Sequence, residues 1–402
     1  MLVLFTVAAP AATADGLTIE KAVEIALSRN PRVLSAGIEI NAARGRALQL
    51  GARPEPQLAA GIDGAPLPGS GKDEEKTEIY LGIEQLFEFP GKRSLRLEIG
   101  RSGEDLAAAE LDRVKLIVAA DVKRAYWKTA FATEAVRSLE KSTLRLDLLL
   151  ADLQAKYSSG TAAYADVLRV RAEKARLRNQ VLEQESERRQ AALELNELLA
   201  KPAGEPIELA SRMSFAPLVV EPDGGWGKTR TALPSLRIAA LRQVQAAAAA
   251  KLAGLSRSPD LLAGFSLPSV RPGAWGITLG LTLPFLRPGR SRGLALEAAA
   301  DLENARLEAE SRERRLRSAI EGAFSAAKAA EEQVRVFERG LLRELEDELR
   351  IQLEYFRYGK GSAYELLDLH RTFALAELEH LRAIYVYNLA LADLEVAGEE
   401  SN

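Results

Sequence analysis

Tyr157-Ser158-Ser159-Gly160, followed by Asp166-Val167-Leu168, and Phe356-Arg357-Tyr358-Gly359, followed by Glu365-Leu366-Leu367, are one pattern met twice. In each copy an aromatic residue stands three positions before a glycine, and the glycine six before an acid that opens an aliphatic pair. Residues 157 and 356 lie 199 apart, about half of the 402-residue chain. Each copy sits between two long, charged, Leu/Ala-rich helical patterns, and glycine supplies the positive-φ step that ends one helix and turns the chain. The arrangement predicts an antiparallel helical hairpin, and its recurrence at one offset predicts a duplicated chain with two similar tips, near 157–168 and 356–367.

Outward from the tips the two halves run the same programme. Before the first tip, a helix pattern spans Leu17 to Leu50 with Thr18 as N-cap and a break at Asn30-Pro31, since proline keeps the preceding residue out of the helical region. The period then changes to two. Pro56 to Asp63 alternates, and after a Gly/Pro/charged loop, Gly64 to Lys76, so does Thr77 to Phe87, with Ile79, Leu81, Ile83 and Phe87 on one face and Glu78, Tyr80, Gly82 and Glu84 on the other. Phe89-Pro90-Gly91-Lys92-Arg93 ends the strands, and one helix runs from about Ser94 to Tyr157, roughly 100 Å at about 1.5 Å per residue. Its apolar stripe near the tip is Leu146, Leu149, Leu150, Leu153 and Tyr157. The return helix covers about Ala163 to Leu199. A Pro/Gly-rich connector over 201–228 leads into the second half.

There Leu233-Pro234 opens a helix to Leu255, and two strands are expected over 259–267 and 275–285. Trp275, Ile277, Leu279, Leu281, Leu283 and Phe285 share one face of the latter. Arg287-Pro288-Gly289-Arg290 repeats the first exit turn, a second unbroken long helix is expected to Arg357, and a last one over Ser362 to Val396. The organisation read is therefore an N-terminal segment 1–16, a first repeat 17–200 (strand hairpin 56–87, helical hairpin 92–200), the connector, a second repeat 229–396 (strand hairpin 259–285, helical hairpin 290–396) and a tail 397–402.

Composition narrows the function classes. Net charge is −3 with both signs interleaved along the helices, which gives no electrostatic support for nucleic-acid binding. There is no cysteine, which excludes disulfides, thiolate metal sites and a lipid-modified N-terminal cysteine. The two histidines, His370 and His380, lie ten apart on one helix and point in different directions, so they are expected to be exposed rather than a metal pair. No catalytic, cofactor or metal set is assembled: Gly69-Ser70-Gly71-Lys72 lacks the spacing of a phosphate loop, and Ser138-Leu139-Glu140-Lys141 is an incidental match on a charged helix. Met1 to Ala14 is apolar and Ala12-Thr13-Ala14 resembles a signal-peptidase site, so the start reads as a signal-peptide remnant or a disordered N-terminus.

No apolar run is long enough for a membrane helix, so a membrane span must be built from strands. The strands suit that role: one face is apolar and ends in aromatic residues (Trp275, Phe285, Phe87), while the other is rich in Gly and Thr, as a wet lumen requires. Four strands cannot close a barrel, and open edges are not tolerated in lipid, so several chains must share one. Three chains give twelve strands, and because each strand hairpin returns the chain to its own side, the long helices lie on one side and continue the lumen.

These features resemble the TolC-type outer-membrane efflux channels over essentially residues 17 to 396. The resemblance rests on Leu17-Thr18-Ile19-Glu20-Lys21-Ala22 with Asn30-Pro31, both strand hairpins, both Pro-Gly exit turns and both tips. Glu84-Gln85-Leu86-Phe87-Glu88-Phe89-Pro90-Gly91-Lys92-Arg93 looks most like the heavy-metal and cation efflux branch. The fold implied is mainly α with membrane β. Duplicated helical hairpins form a periplasmic α-barrel, and four strands per chain contribute to a shared trimeric 12-stranded outer-membrane β-barrel in a Gram-negative-type bacterium.

The function implied is a passive conduit of a tripartite efflux or type I secretion system, a homotrimer held by outer-membrane lipid and joined through a periplasmic adaptor to an inner-membrane pump. The resemblance places Glu365 and Asp368, with Asp166, at the periplasmic aperture. Adaptor contact is expected at Tyr157, Ser159, Gly160, Phe356, Gly359, Gly361, Ser362 and Ala363. In relatives a tyrosine and an arginine of the second tip hold the acid at the Asp166 position. Phe356 and Gly361 stand at those places here, which leaves Lys360, Arg169 and Arg357 as candidate locking groups. The competing reading is a soluble periplasmic coiled-coil adaptor or scaffold, which accounts for the helices but not for two symmetric pairs of girdled strands.

Overall fold

The computed structural model describes residues 16–63, 78–210, 213–218, 233–268, 275–397 and 399. Nearly all of the segment read as a leader, both strand-connecting loops, the later part of the connector and most of the tail lie outside these residues. In chain order the elements are α1 (Ile19–Arg29), α2 (Pro31–Gly51), β1 (Gln57–Asp63), β2 (Glu78–Phe87), α3 (Lys92–Ser158), α4 (Tyr164–Leu198), α5 (Pro234–Gly254), β3 (Leu261–Pro268), β4 (Gly276–Leu281), α6 (Pro288–Val336), α7 (Leu342–Arg357) and α8 (Ala363–Glu395).

Local chemistry sets most boundaries. Thr18 Oγ1 accepts from the Lys21 amide at 3.2 Å and starts α1. Asn30, forced extended ahead of Pro31 (ψ 127°), uses its side chain in both directions. Its Oδ1 accepts from the Arg32 amide and its Nδ2 donates to the Leu198 carbonyl, both at 2.9 Å. Leu233, extended at ψ 120°, plays the same preparatory part before Pro234.

Two expected elements end early. β4 stops at Leu281 instead of reaching 285. Thr282 still donates to the Asp260 carbonyl at 2.9 Å, but Pro284 has no amide for the ladder and opens a one-turn 3-10 helix, Pro284–Leu286, that carries Phe285 out of the strand. The second long helix is not continuous to Arg357: a π turn, Phe337–Leu341, with Gly340 at φ 116°, separates α6 from α7.

The repeats do not map onto the compact units of the chain, each of which draws on both halves. One unit comprises residues 36–111 and 233–313 and holds the antiparallel sheet, ordered β1-β2-β3-β4. The central pairing joins the repeats, with Ile83 opposite Phe265 and Phe87 opposite Leu261. The other comprises residues 1–35, 112–232 and 314–402. Its tip core gathers Leu146, Leu149 and Leu153 of α3, Val167 and Val170 of α4, Phe356 of α7, and Leu366 and Leu367 of α8. A second cluster joins Ala327, Ala330 and Val334 of α6 to Ile384 and Tyr387 of α8, covered by Met213, Phe215 and Leu218 of the connector. Tyr157, expected on the buried stripe, is 48% exposed and lies against Tyr164 at 5.4 Å between ring centres, one residue before the helix ends.

Candidate functional site

In the sheet unit, the face predicted to be apolar is the outward one. Leu58, Leu81, Ile83, Phe265, Ile277 and Leu279 are each about half or more exposed, and the register places them in rows across all four strands. Trp275 and Phe87, at strand ends, and Phe285, just beyond one, are also exposed. The polar Gln85 falls on this face yet folds back, donating to the Pro54 and Leu86 carbonyls at 2.7 and 3.0 Å. The opposite face is lined by small groups: Gly82 pairs with Ser266 and Ser266 with Gly276, while the Tyr80 ring lies over Gly61. An exposed apolar face of this extent has no place in water. The strands run 7, 10, 8 and 6 residues within the described part, and both outer strands offer unpaired edges there.

The first exit turn fastens this wall to its helices. Lys92 Nζ donates to Asp260 Oδ1 at 2.7 Å and to the Ser258 carbonyl at 3.2 Å, and Asp260 Oδ1 also accepts from the Phe89 amide at 2.7 Å. Arg93 Nε caps the C-terminal carbonyl of Gly51, and Arg96 spans Glu88 and the Leu50 carbonyl. The Pro-Gly-Lys-Arg signature is thus a rivet between the two strand hairpins.

At the tips the glycines do what their spacing predicts. Gly160 (φ 77°) and Gly359 (φ 73°) each close a helix with the same pair of bonds. The glycine amide donates three residues back, to Tyr157 or Phe356, and the next amide five back, to Lys156 or Tyr355, at 2.8–3.1 Å. Ser362 caps α8 through the Tyr364 amide at 3.2 Å, while Ser159 Oγ donates to the Lys156 carbonyl at 2.9 Å.

The equivalent aromatics differ. Tyr157 is exposed, whereas Phe356 is buried with Lys156 Nζ 4.3 Å from its ring centre. Ala363 is buried as well, and a side chain at Gly361 would crowd the Phe356 backbone. Of the residues read as adaptor contacts, Tyr157, Ser159, Gly160, Gly359 and Ser362 are on the surface.

Of the acids expected at the aperture, Glu365 and Asp368 are exposed, while Asp166 is about three-quarters covered, with 24% of its side chain accessible. Asp166 pairs within its helix with Arg169 at 3.1 Å, Glu365 accepts from Gln352 at 3.2 Å, and Asp368 stands three residues further along. None of the three locking candidates joins the hairpins through these acids: Arg169 is engaged by Asp166, Arg357 by Glu354 and Asp152, and Lys360 is exposed.

A buried charged link between the hairpins lies one heptad further in. Glu173 of α4, 2% exposed, is held by Arg176 of its own helix at 2.6 Å and by Arg371 of α8 at 2.5 Å. Burial pushes its carboxyl up, but the hydrogen bonds and charges of the two arginines outweigh this and hold it below the usual range. His370 beside it is not exposed as expected but 4% accessible, with neither ring nitrogen meeting a hydrogen-bond partner in good geometry among the described residues. Burial, then the charge of Arg145, pull its pKa from 6.5 to about 4. Both groups carried a sequence signal: Glu173 follows Asp166 by seven residues, and His370 follows Leu366 by four and precedes Phe373 by three, on the buried face of α8.

Long antiparallel helical hairpins and a small antiparallel sheet with one exposed apolar face are the elements of this fold. Residues 22–201 match the outer membrane efflux protein family, so the resemblance to the TolC-type channels holds. No curated protein matches the sequence as a relative. Among solved structures, the outer-membrane channel OprN superposes with a TM-score of 0.81 at 18% identity, covering 95% of this chain and 90% of that one. CusC superposes with 0.80 at 18% identity over 98% and 96%. The open state of the Neisseria gonorrhoeae MtrE outer membrane channel gives 0.73 at 21% over 95% and 88%. At these identities the likeness is one of fold, and it extends over nearly the whole chain.

Proposed function

We propose that the chain is one third of a passive outer-membrane conduit. Three copies pair the free edge of β4 with the free edge of β1 of the next, closing a barrel of twelve strands whose apolar rows face lipid, while the helical hairpins line a periplasmic tunnel that receives cargo from an adaptor and an inner-membrane pump. The observation that carries this reading is the apolar, outward face of a sheet with two open edges, since only closure with further copies removes edges in lipid. A soluble adaptor or scaffold has no use for that face.

The exposed tip surface around Ser159 and Ser362 suits the close approach of a partner's helices, and Glu365 and Asp368, repeated three times, would ring the aperture with carboxylates. The likeness of Glu84–Arg93 to cation efflux channels suggests a cation cargo. The charges of that segment, however, are engaged in fastening the wall (Glu88 with Arg96, Lys92 with Asp260), so the likeness also has a scaffolding cause. Detergent extraction from the membrane fraction followed by electron microscopy tests the proposal. Three-fold particles with a long stalk are the expected result, and recovery in the soluble fraction without detergent ends it. Loss of metal tolerance on deletion of the gene would support the cation cargo.

A further inference from the structure

The two exit turns, alike in sequence, leave their charges in opposite states. In the first, Lys92, Arg93 and Arg96 are all engaged inside the chain, Lys92 by Asp260 with only 13% of its side chain exposed. In the second, Arg290 stands where Lys92 stands, 198 residues on, and with Arg287 and Arg292 it is exposed. Among the described residues none of these three guanidinium groups meets a carboxylate. Beside them Leu283, Phe285 and Leu286, in the turn that follows β4, are 47%, 56% and 67% exposed. Apolar side chains and unpaired guanidinium groups thus succeed one another within ten residues at the helix-side end of the strand wall.

We propose that Arg287, Arg290 and Arg292 bind the phosphates of anionic phospholipids, whose charge no headgroup cation offsets, in the leaflet on the helix side, with Leu283, Phe285 and Leu286 seated at the edge of its hydrocarbon. The proposal rests on the membrane reading above. Phosphate is the fitting partner because guanidinium groups pair with its oxygens bidentately, and because an interface that takes apolar side chains on one side and cations on the other is the boundary of a bilayer. The wall is thereby fixed in depth at the one exit turn whose charges the fold itself does not use.

The test is lipid retention. The full-length detergent-purified protein is exposed to equal amounts of phosphatidylglycerol and phosphatidylcholine, and the retained lipids are counted by native mass spectrometry. Insertion into vesicles is read in parallel. Wild type is expected to favour phosphatidylglycerol on the order of tenfold, at about fivefold per arginine with allowance for overlap. R287Q/R290Q/R292Q should insert as before and lose most of the preference, while R306Q/R317Q/R350Q, which removes three exposed arginines of the helices, should keep it.

An unchanged ratio in the first variant, or equal loss in the second, overturns the proposal. A fall in oligomer yield with the lipid ratio unchanged would assign the arginines to a second copy of the chain and overturn it too. Failure of wild type to insert removes the membrane reading and this one with it, whereas insertion with no headgroup preference removes this one alone.

Discussion

His370 is buried among the helices of the tip core, and among the described residues neither ring nitrogen meets a hydrogen-bond partner in good geometry, which makes it an acid-sensitive point of the hairpins. It is faced by Ser142 and Arg145 of α3 and Glu173 of α4, with Arg371 and Glu377 near it on its own helix. Its folded-state pKa, about 4, lies below the ordinary 6.5, so the neutral ring favours the packed tip. That contribution is complete above about pH 6.5 and is lost as pH falls toward 4, to a limit on the order of 3 kcal/mol. Thermal melting of the purified protein should fall across this window, and His370→Phe, similar in volume, should flatten the slope; the same slope in the variant would place the titration elsewhere. Glu173 beside it poses a second test, because a buried carboxylate deprived of a guanidinium keeps its desolvation cost. Arg371→Ala should destabilise by about 2 kcal/mol, less than full loss of a buried pair because Arg176 remains, and Glu173→Ala/Arg371→Ala should fall short of the sum of the single changes. Both residues were legible only in part. Their helical phase marks them as buried, but an interleaved charge pattern reads first as a solvated surface, and only the packing of one hairpin on the other tells the two apart.

At the scale of elements, glycines show where sequence reading stops. The tip turns were legible because two glycines repeat with flanking aromatics and acids at one offset. Gly293, Gly322 and Gly340 instead lie singly in one charged helical pattern, and nothing in their neighbours separates them. Yet only Gly340 takes a positive φ, 116°, and interrupts the helix, while open space surrounds the Cβ positions of the other two. Gly340→Ala should therefore cost about 1–2 kcal/mol in melting experiments, the penalty for an L residue in left-handed backbone, whereas Gly322→Ala should be neutral or stabilising. Equal effects at the two sites would mean that the interruption is not maintained in solution. The tips separate folding from docking in the same way. A large side chain at Ser159, on the surface, should leave oligomer yield intact and abolish efflux, while Ala363→Trp should lower yield, because Ala363 is packed into the tip core. Normal efflux by a well-folded Ser159→Trp variant would move the adaptor off this tip.

For the whole molecule, the period of two in the strands was legible except at the end of β4, where the alternation runs on past Leu281 into a turn, and it set which face is apolar before any partner strand was known. What the chain order hides is that the compact units interleave the repeats: β2 of the first half pairs with β3 of the second, and Lys92 is fastened to Asp260 across that seam. Such pairings depend on contacts more than 160 residues apart, which local pattern cannot rank. The membrane proposal turns this geometry into a comparison between adjacent residues of one strand. Leu279, 71% exposed, belongs to the apolar rows, opposite Ala263, while Thr278 belongs to the small-residue face, opposite Gly264. If the rows meet lipid, Leu279→Arg places an unpaired guanidinium in hydrocarbon and should cost roughly 2–4 kcal/mol near mid-membrane, seen as loss of the folded oligomer from outer membranes. Thr278→Arg would point into a water-filled lumen, keep its hydration, and leave oligomer yield intact while changing single-channel conductance in planar bilayers. Equal damage at both positions would instead require both faces of the sheet to be packed, and no lumen could then lie behind it.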